Sequence, residues 1–470
     1  MNFLRLMLTT TLLFLNSEKS FSQSVCIYFF TEGFSGGNQP RAITSADFNH
    51  DDHIDLATAN FENNTTSILF GNGDGTFEPF INYPCDLHPN DIATADFNDD
   101  GNADLVTANQ YGANSVTVLL GNADGTFSDS TNYSAGFYVD AVTVADVNND
   151  SIPDLVTANE VSSDISVLIG NGDGTFQNAI NSPAPGGIIS VAVADFNNDG
   201  FKDVVYCHLL GFYETVHYFC IQFGDGTGAF NNEIRIDSGR YSIDAIGSDI
   251  NNDGFADVVT ADFFDDTASV YYGNGDGTFN LPVGYAAYIE PDAIVLADMN
   301  NDSIPDLLAA DYGSNGIVVL PGHDDGTFGD FVESIGAVDP QSLTVGDFNE
   351  DGLPDIATSE TYFGSAYYAV ILNCTSTGIQ NPVESSFKIY PNPVSHQSTL
   401  HINGGKSYSS EATTIVLKNI FGKTIYTSSF NANESFDIDL GKEKIPNGVY
   451  FFEMKMDISL EGITKALIVQ

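Results

Sequence analysis

The sequence predicts an all-β fold: a seven-bladed β-propeller followed by a small C-terminal β-sandwich. Three observations predict it. A nine-residue acidic stretch, typified by DFNDDGNAD from Asp96 to Asp104, recurs seven times. Each recurrence is followed by the same order of short apolar runs and turn residues. The balance of charge then changes abruptly near residue 375.

The copies of the acidic stretch open at Asp47, Asp96, Asp146, Asp195, Asp249, Asp298 and Asp347, at spacings of 49, 50, 49, 54, 49 and 49 residues. A fixed period of this size marks a repeat architecture. The second period reads NDIATAD, the acidic loop, DLVTAN, a polar stretch, SVTVLLGNADGTF and a tail through Tyr133. These are runs of about five residues bounded by turn formers, so each period holds four short strands. The segment of type GNGDGTF, as at Gly71 to Phe77, carries an Asp-Gly turn between the third and fourth strands, and its Phe belongs to the core. Four strands repeated seven times, without helical periodicity, make a propeller. The seventh period has DIATSE and AYYAVILNC but no GNGDGTF segment. Its missing strand is expected from VCIYFFTE, Val25 to Glu32, pairing the two ends of the chain.

Every copy keeps Asp at places one, five and nine and Asn at place three. Side-chain oxygens at alternate places of a tight loop, with a carbonyl available at place seven, suit a hard cation such as Ca²⁺. Turn chemistry alone explains one such copy, but it would let Asn, Ser or Gly replace some of the aspartates in seven. An EF-hand needs a Glu at place twelve and flanking helices, whereas place twelve here is Thr58 or Thr107 and both flanks read as strands. Up to seven Ca²⁺ are therefore expected. The candidate ligands are Asp47, Asn49, Asp51, His53 and Asp55 in the first copy, and Asp96, Asn98, Asp100, Asn102 and Asp104 in the second. The third offers Asp146, Asn148, Asp150, Ile152 and Asp154, and the fourth Asp195, Asn197, Asp199, Phe201 and Asp203. The fifth offers Asp249, Asn251, Asp253, Phe255 and Asp257. Asp298, Asn300, Asp302, Ile304 and Asp306 follow in the sixth, and Asp347, Asn349, Asp351, Leu353 and Asp355 in the seventh. Place six favours a left-handed backbone and is Gly101, Gly200, Gly254 and Gly352 in four copies but Asp52, Ser151 and Ser303 in the others. Those three sites are expected to bind more weakly.

The pairing of DxNxDxxxD with GNGDGTF resembles the FG-GAP/VCBS repeat family, similar to the integrin α-subunit propeller and to some fungal lectin propellers, over roughly residues 25 to 375. The resemblance implies calcium in the loop between the first two strands of a blade.

At the N-terminus, Arg5, the apolar LMLTTTLLFL and the small residues Ser20 and Ser22 predict a signal peptide over residues 1–22. The apolar run is too short to span a bilayer. QSV before Cys26 lacks the pattern of a lipidation site. The propeller is expected over 23–375, a linker over 376–386 and a separate sandwich over 387–470. In that last segment Tyr390-Pro391-Asn392-Pro393 and Asn447-Gly448-Val449-Tyr450-Phe451 resemble the type A C-terminal sorting domain of the type IX secretion system of Bacteroidota. The resemblance implies export to the medium or the outer-membrane surface, with the tail engaging the secretion machinery and then being removed. An ordinary accessory sandwich is the alternative.

Nearly all of the formal charge of −50 lies in the propeller, where Arg41, Lys202, Arg235 and Arg240 are the basic residues. Such charge repels phosphate backbones and anionic membranes, so neither nucleic acid nor membrane is an expected partner. HExxH, P-loop motifs and tryptophan are missing from the sequence. Cys207, His208, His217 and Cys220 could suggest zinc, but on a hairpin the period of two sets each His on the face opposite its neighbouring Cys. Two disulfides are expected in an exported chain: Cys26 with Cys374 at the seam of the ring, and Cys207 with Cys220 across neighbouring strands, leaving Cys85 odd. The chain reads as a monomeric binding or adhesion module for glycans or extracellular proteins. A polysaccharide lyase or hydrolase is the rival, since propellers host both, and a structural part of a larger assembly is a third. The ligand surface is expected opposite the acidic loops, at Phe61, Tyr111, Tyr213, Phe264, Tyr312 and Tyr362. Aromatic faces beside amides suit sugar rings, although packing between blades would use the same rings.

Overall fold

In the computed structural model the chain divides into two compact units, Met1–Thr375 and Ser376–Gln470. The structure describes residues 39–111, 114–209, 217–287, 289–313, 315–331, 335–337, 339–362 and 365–373 of the first unit, and in the second the strands between 388 and 469.

The first unit contains seven antiparallel sheets, one per repeat, with strands in sequence order. Blade 1 is representative, with β1 (Pro40–Ala46), β2 (Asp55–Asn60), β3 (Thr65–Leu69) and β4 (Ile81–Pro84). The middle strands are buried along their length because neighbouring blades cover both faces, whereas β4 alternates little and lies on the outside. The longer spacing before the fifth repeat comes from blade 4, whose second and third strands, Asp203–Leu209 and Tyr218–Gly224, are extended and joined by a longer connection. Blade 7 shows three strands among the described residues. The expected N-terminal strand at Val25 to Glu32 and the bridge between Cys26 and Cys374 lie outside them.

The core is a ring of seven clusters, each between two adjacent blades. The last joins Ile43, Leu56 and Leu69 of blade 1 to Phe348, Tyr368, Val370 and Leu372 of blade 7, so apolar packing closes the circle. The Phe of the GNGDGTF segment packs onto the Phe that follows the first Asp of the preceding blade. Phe77 meets Phe348 at 5.9 Å between ring centroids, Phe127 meets Phe48 at 5.7 Å, Phe176 meets Phe97 at 5.3 Å and Phe279 meets Phe196 at 6.0 Å. Three of these pairs are edge to face, a geometry that aromatic quadrupoles favour.

One expected disulfide is corrected here. Cys207 and Cys220 are free thiols, as is Cys85. The partner of Cys220 across the strands is Tyr206, which shifts the two cysteines by one place. A shift of one turns side chains to opposite faces of a sheet. Cys207 accordingly packs between blades 4 and 5, and Cys220 between blades 3 and 4.

The second unit forms a three-stranded sheet from Lys388–Tyr390, Thr399–Asn403 and Phe436–Asp439. It also forms a four-stranded sheet from Ala412–Asn419, Thr424–Asn431, Gly448–Met456 and Ile463–Val469. Among the described residues of the chain no helix is long and apolar enough to cross a membrane.

Candidate functional site

The acidic stretches form one loop conformation, held by the same internal hydrogen bonds. In blade 2 the Asp100 N–H donates to Asp96 Oδ1 and to Asn98 Oδ1, at 3.2 and 3.1 Å. The Gly101 N–H donates to Asp96 Oδ2 at 2.7 Å and the Asn102 N–H to Asp100 Oδ1 at 2.8 Å. Place six is left-handed, at φ 84 to 90° for the four glycines and 66 to 70° for Asp52, Ser151 and Ser303. Place four is left-handed as well, in His50, Asp99, Asn149, Asn198, Asn252, Asn301 and Glu350. Sequence reasoning missed that, although the run of Asn at this place was a signal, since Asn and Asp tolerate this region best after Gly.

The ninth Asp has a structural task of its own, whatever else it holds. Asp104 is fully buried and takes the Phe97 N–H on Oδ2 at 2.8 Å and the Gly121 N–H on Oδ1 at 2.7 Å. It thereby ties the acidic loop to the GNGDGTF turn of its own blade. Asp55, Asp154, Asp203, Asp257 and Asp306 make the same pair of bonds, and Asp355 substitutes the Asn373 N–H. Burial pushes the Asp104 carboxyl up to about 6, against the pull of its two N–H donors. Gly71, the first residue of such a turn, is required by close approach: a Cβ there would lie 2.4 Å from the Ile54 carbonyl oxygen.

Places one, three and five offer only oxygen donors at the loop surface, the chemistry a hard cation takes. Among the described residues, however, no three acidic side chains converge as a metal cluster. The side chains of places three and five instead bond each other, Asn98 Nδ2 donating to Asp100 Oδ2 at 3.0 Å.

The opposite ends of the blades carry the expected aromatic residues. Tyr111 and Tyr312 are exposed, at 44% and 40%. Phe264 packs with Tyr241 and Phe263, at centroid distances of 5.1 and 5.2 Å. Phe61 is a correction. It is buried, with the Arg41 guanidinium 3.9 Å over its ring and His88 at 4.7 Å, so it supports neighbours rather than presenting a face. Tyr362 ends the second strand of blade 7, and its side chain, like all of Tyr213, lies outside the described residues.

Between these residues, where the first strands of all seven blades begin, opens a cavity of about 470 Å³. Six places before the first Asp of each copy stands one lining residue per blade: Arg41, Asn90, Asp140, Ile189, Ile243, Asp292 and Gln341. Sequence reasoning missed this ring. The signal was the fixed offset, hidden because the residue type changes from blade to blade. Arg41 Nη1 donates to Asn90 Oδ1 at 2.9 Å. Asn90 Nδ2 donates to the Asp140 carbonyl at 2.9 Å, and Gln110 Nε2 to Asp140 Oδ1 at 2.5 Å. Burial and then Glu160 push Asp140 up to about 7. Burial and then Asp244 do the same to Asp292, opposed by Arg41. One place further on, the side chains lace blades together: Asp91 Oδ2 accepts the Val142 N–H at 2.8 Å and Asp244 Oδ2 the Ile294 N–H at 3.0 Å.

Residues 47–107, 96–157, 146–206, 249–309 and 298–358 match the FG-GAP-like repeat, and residues 388–470 match a secretion system C-terminal sorting domain. No curated protein sequence matches the chain. Among solved structures, a chain of the BBS1N complex with ARL6DN is 12% identical over 76% of this chain and 100% of its own, with a TM-score of 0.53. An Agrocybe aegerita lectin that recognises non-reducing terminal N-acetylglucosamine is 19% identical, over 68% of this chain and 85% of its own, at TM-score 0.46. A periplasmic gluconolactonase of Pseudomonas aeruginosa is 16% identical, over 64% and 86%, at TM-score 0.47. At such identities the likeness of the first is one of fold.

Proposed function

This chain belongs to the FG-GAP-like repeat family and ends in a type IX secretion sorting domain, and from that premise we propose that it is an exported binding module with its ligand face opposite the acidic loops. One observation carries the reading: the axial cavity and the exposed rings of Tyr111 and Tyr312 occur together at the blade ends where the repeats diverge. Glycans or extracellular proteins are the ligand classes. The acidic loops, through places one, three, five and nine and the seventh carbonyl, would hold Ca²⁺, which would offset the crowded carboxylates and stiffen that face. The tail would direct export and then be removed. Intact-mass analysis of the mature protein from its native host should find Gln470 gone, and its retention would overturn that step.

The reading is tested on a glycan array, with and without calcium, using the purified chain and the combined variant Tyr111→Ala, Phe264→Ala, Tyr312→Ala. The variant should keep its melting temperature and lose binding. Binding unchanged by all three substitutions would overturn the assignment of the face. A second reading, hydrolysis of a polysaccharide, is favoured by Asp140 in the cavity, whose carboxyl burial and Glu160 push up to about 7, the range of a general acid. Release of reducing ends from a bound polysaccharide, abolished by Asp140→Asn, would establish it.

A further inference from the structure

The seven lining residues are not distributed at random around the axis. In ring order, Asp292, Gln341, Arg41, Asn90 and Asp140 form a continuous polar arc over blades 6, 7, 1, 2 and 3. Ile189 and Ile243 form the remaining arc over blades 4 and 5, and Tyr241 and Phe263 stand beside them. One wall is therefore apolar and the wall facing it is rich in carboxylate, amide and guanidinium groups.

A pyranose has the matching division. Its ring carbons present a C–H face that packs on aliphatic and aromatic groups, and its equatorial hydroxyls both donate and accept at the edge. Carboxylates accept from such hydroxyls, the guanidinium donates to them, and Asn and Gln amides do both. The volume falls within the range of roughly 300–1,000 Å³ typical of small-ligand sites. Charge narrows the class. Five carboxylates line the cavity, Asp91, Asp140, Glu160, Asp244 and Asp292, against the single cation Arg41. Arg41 is already engaged by Asn90 and by the ring of Phe61. A uronate, sulfate or phosphate would meet a field of its own sign.

We infer that the axial cavity captures the terminal residue of a neutral glycan end-on, with the sugar's C–H face on Ile189, Ile243 and Tyr241 and its hydroxyls on Asp292, Gln341 and Asn90. The inference rests on the reading of this face as the ligand face and deepens it: the exposed rings of Tyr111 and Tyr312 contact the rest of the chain, and the axis reads its end. A ligand lying on a sevenfold axis touches each blade once, so a single asymmetric ligand needs one differentiated ring rather than seven equal sites.

The test uses the full-length chain in calcium buffer, with isothermal titration against neutral, amino and uronic monosaccharides and the oligosaccharides they terminate. A neutral sugar should bind with a stoichiometry of one per chain. Gln341→Ala and Asp292→Asn should each weaken it about tenfold, the worth of a lost hydrogen bond near 1.4 kcal/mol. The melting temperature of each variant reports that the fold is intact. The rim variant lacking the rings of Tyr111 and Tyr312 should lose affinity for oligosaccharide and keep it for monosaccharide. If oligosaccharide binding depends on the rim but neither cavity variant changes it, end-on capture is wrong and the ligand face stands. If neither rim nor cavity variants change it, the ligand face itself is wrong. Stoichiometry near seven, or preference for a uronate, also overturns the inference, as does binding of no sugar of any class.

Discussion

At the outgoing end of its innermost strand each blade repeats Asp, Asn, Asp and Asp at the same four offsets; at the incoming end it carries a residue that no fixed type describes, Arg41 in blade 1, Asp140 in blade 3, Ile243 in blade 5, Gln341 in blade 7. The same strand supports both ends, so the difference does not come from the fold. The repeated end solves a backbone problem that every blade shares: two left-handed residues per loop and a buried pair of N–H groups that need an acceptor. The variable end surrounds a single axis, where equal residues would make a symmetric ring and unequal ones make one asymmetric site. Repetition marks what each blade needs for itself, and divergence marks what the seven do together.

The largest effect that could break this comparison is expected at the ninth Asp. Asp104→Ala leaves two buried N–H donors without an acceptor, a cost of about 1–3 kcal/mol each. Urea unfolding should register a loss of several kcal/mol or an unfolded blade 2. A variant that unfolds like the wild type would mean the ninth Asp serves a cation alone. Withdrawal of calcium is expected to act next. If the loops bind it, excess EGTA should lower the melting temperature by mass action and added Ca²⁺ should restore it, whereas an unchanged transition removes the metal from the account.

The repeated end was legible in the sequence because its constraints are local. Asp at fixed offsets in all seven copies, Gly at place six in four of them and the Asp-Gly turn report backbone conformation residue by residue. The blade count and the strand order followed from the same period, and the sorting tail from its motifs. The cavity was not legible for the opposite reason: Arg41 and Asp292 are 251 residues apart and meet only because the ring closes. The Cys207–Cys220 pair failed through register, since a shift of one place decides which face a side chain takes and sequence alone does not fix cross-strand pairing; Phe61 failed because its cover, Arg41 and His88, comes from segments distant in the chain.

A smaller effect should appear at the variable end, and its sign depends on pH. Asp292, in the cavity wall, is pushed up to about 7 from the ordinary 3.8 by burial and by Asp244. Between those two values the folded state holds a proton that the unfolded chain releases, so this group's contribution to stability falls as pH rises through the window. Asp292→Asn removes the buried charge. It should be more stable than the wild type at pH 8, by roughly 1–2 kcal/mol after screening by water in the open cavity, and no different at pH 3. Equal stabilities at pH 8 would mean that Arg41 or solvent already compensates the carboxylate. A gain in stability at the position proposed to hold ligand is the signature of a functional residue, which the repeated end should not give.

The smallest effect tests whether the repeated end is set by its backbone. Ser151 sits at φ 66° where Gly101, Gly200, Gly254 and Gly352 occupy the same place at 84 to 90°. A Cβ at any of those four glycines would meet nothing within 4 Å, so the penalty for a side chain at this place lies in the left-handed backbone rather than in a clash. Ser151→Gly should therefore stabilise the chain by about 1 kcal/mol, and Gly254→Ser should destabilise it by a similar amount. Both are read from urea midpoints at constant slope. Repeating the pair in EGTA sharpens the result. If place six matters only to the loop's own conformation, the two shifts are the same with and without calcium; if the loops hold the cation, relaxing the backbone also tightens the site, and the gain from Ser151→Gly is larger when Ca²⁺ is present. A null effect in both conditions would show that blade 3 has adjusted to its serine, and that the loops are less alike than their shared hydrogen bonds imply.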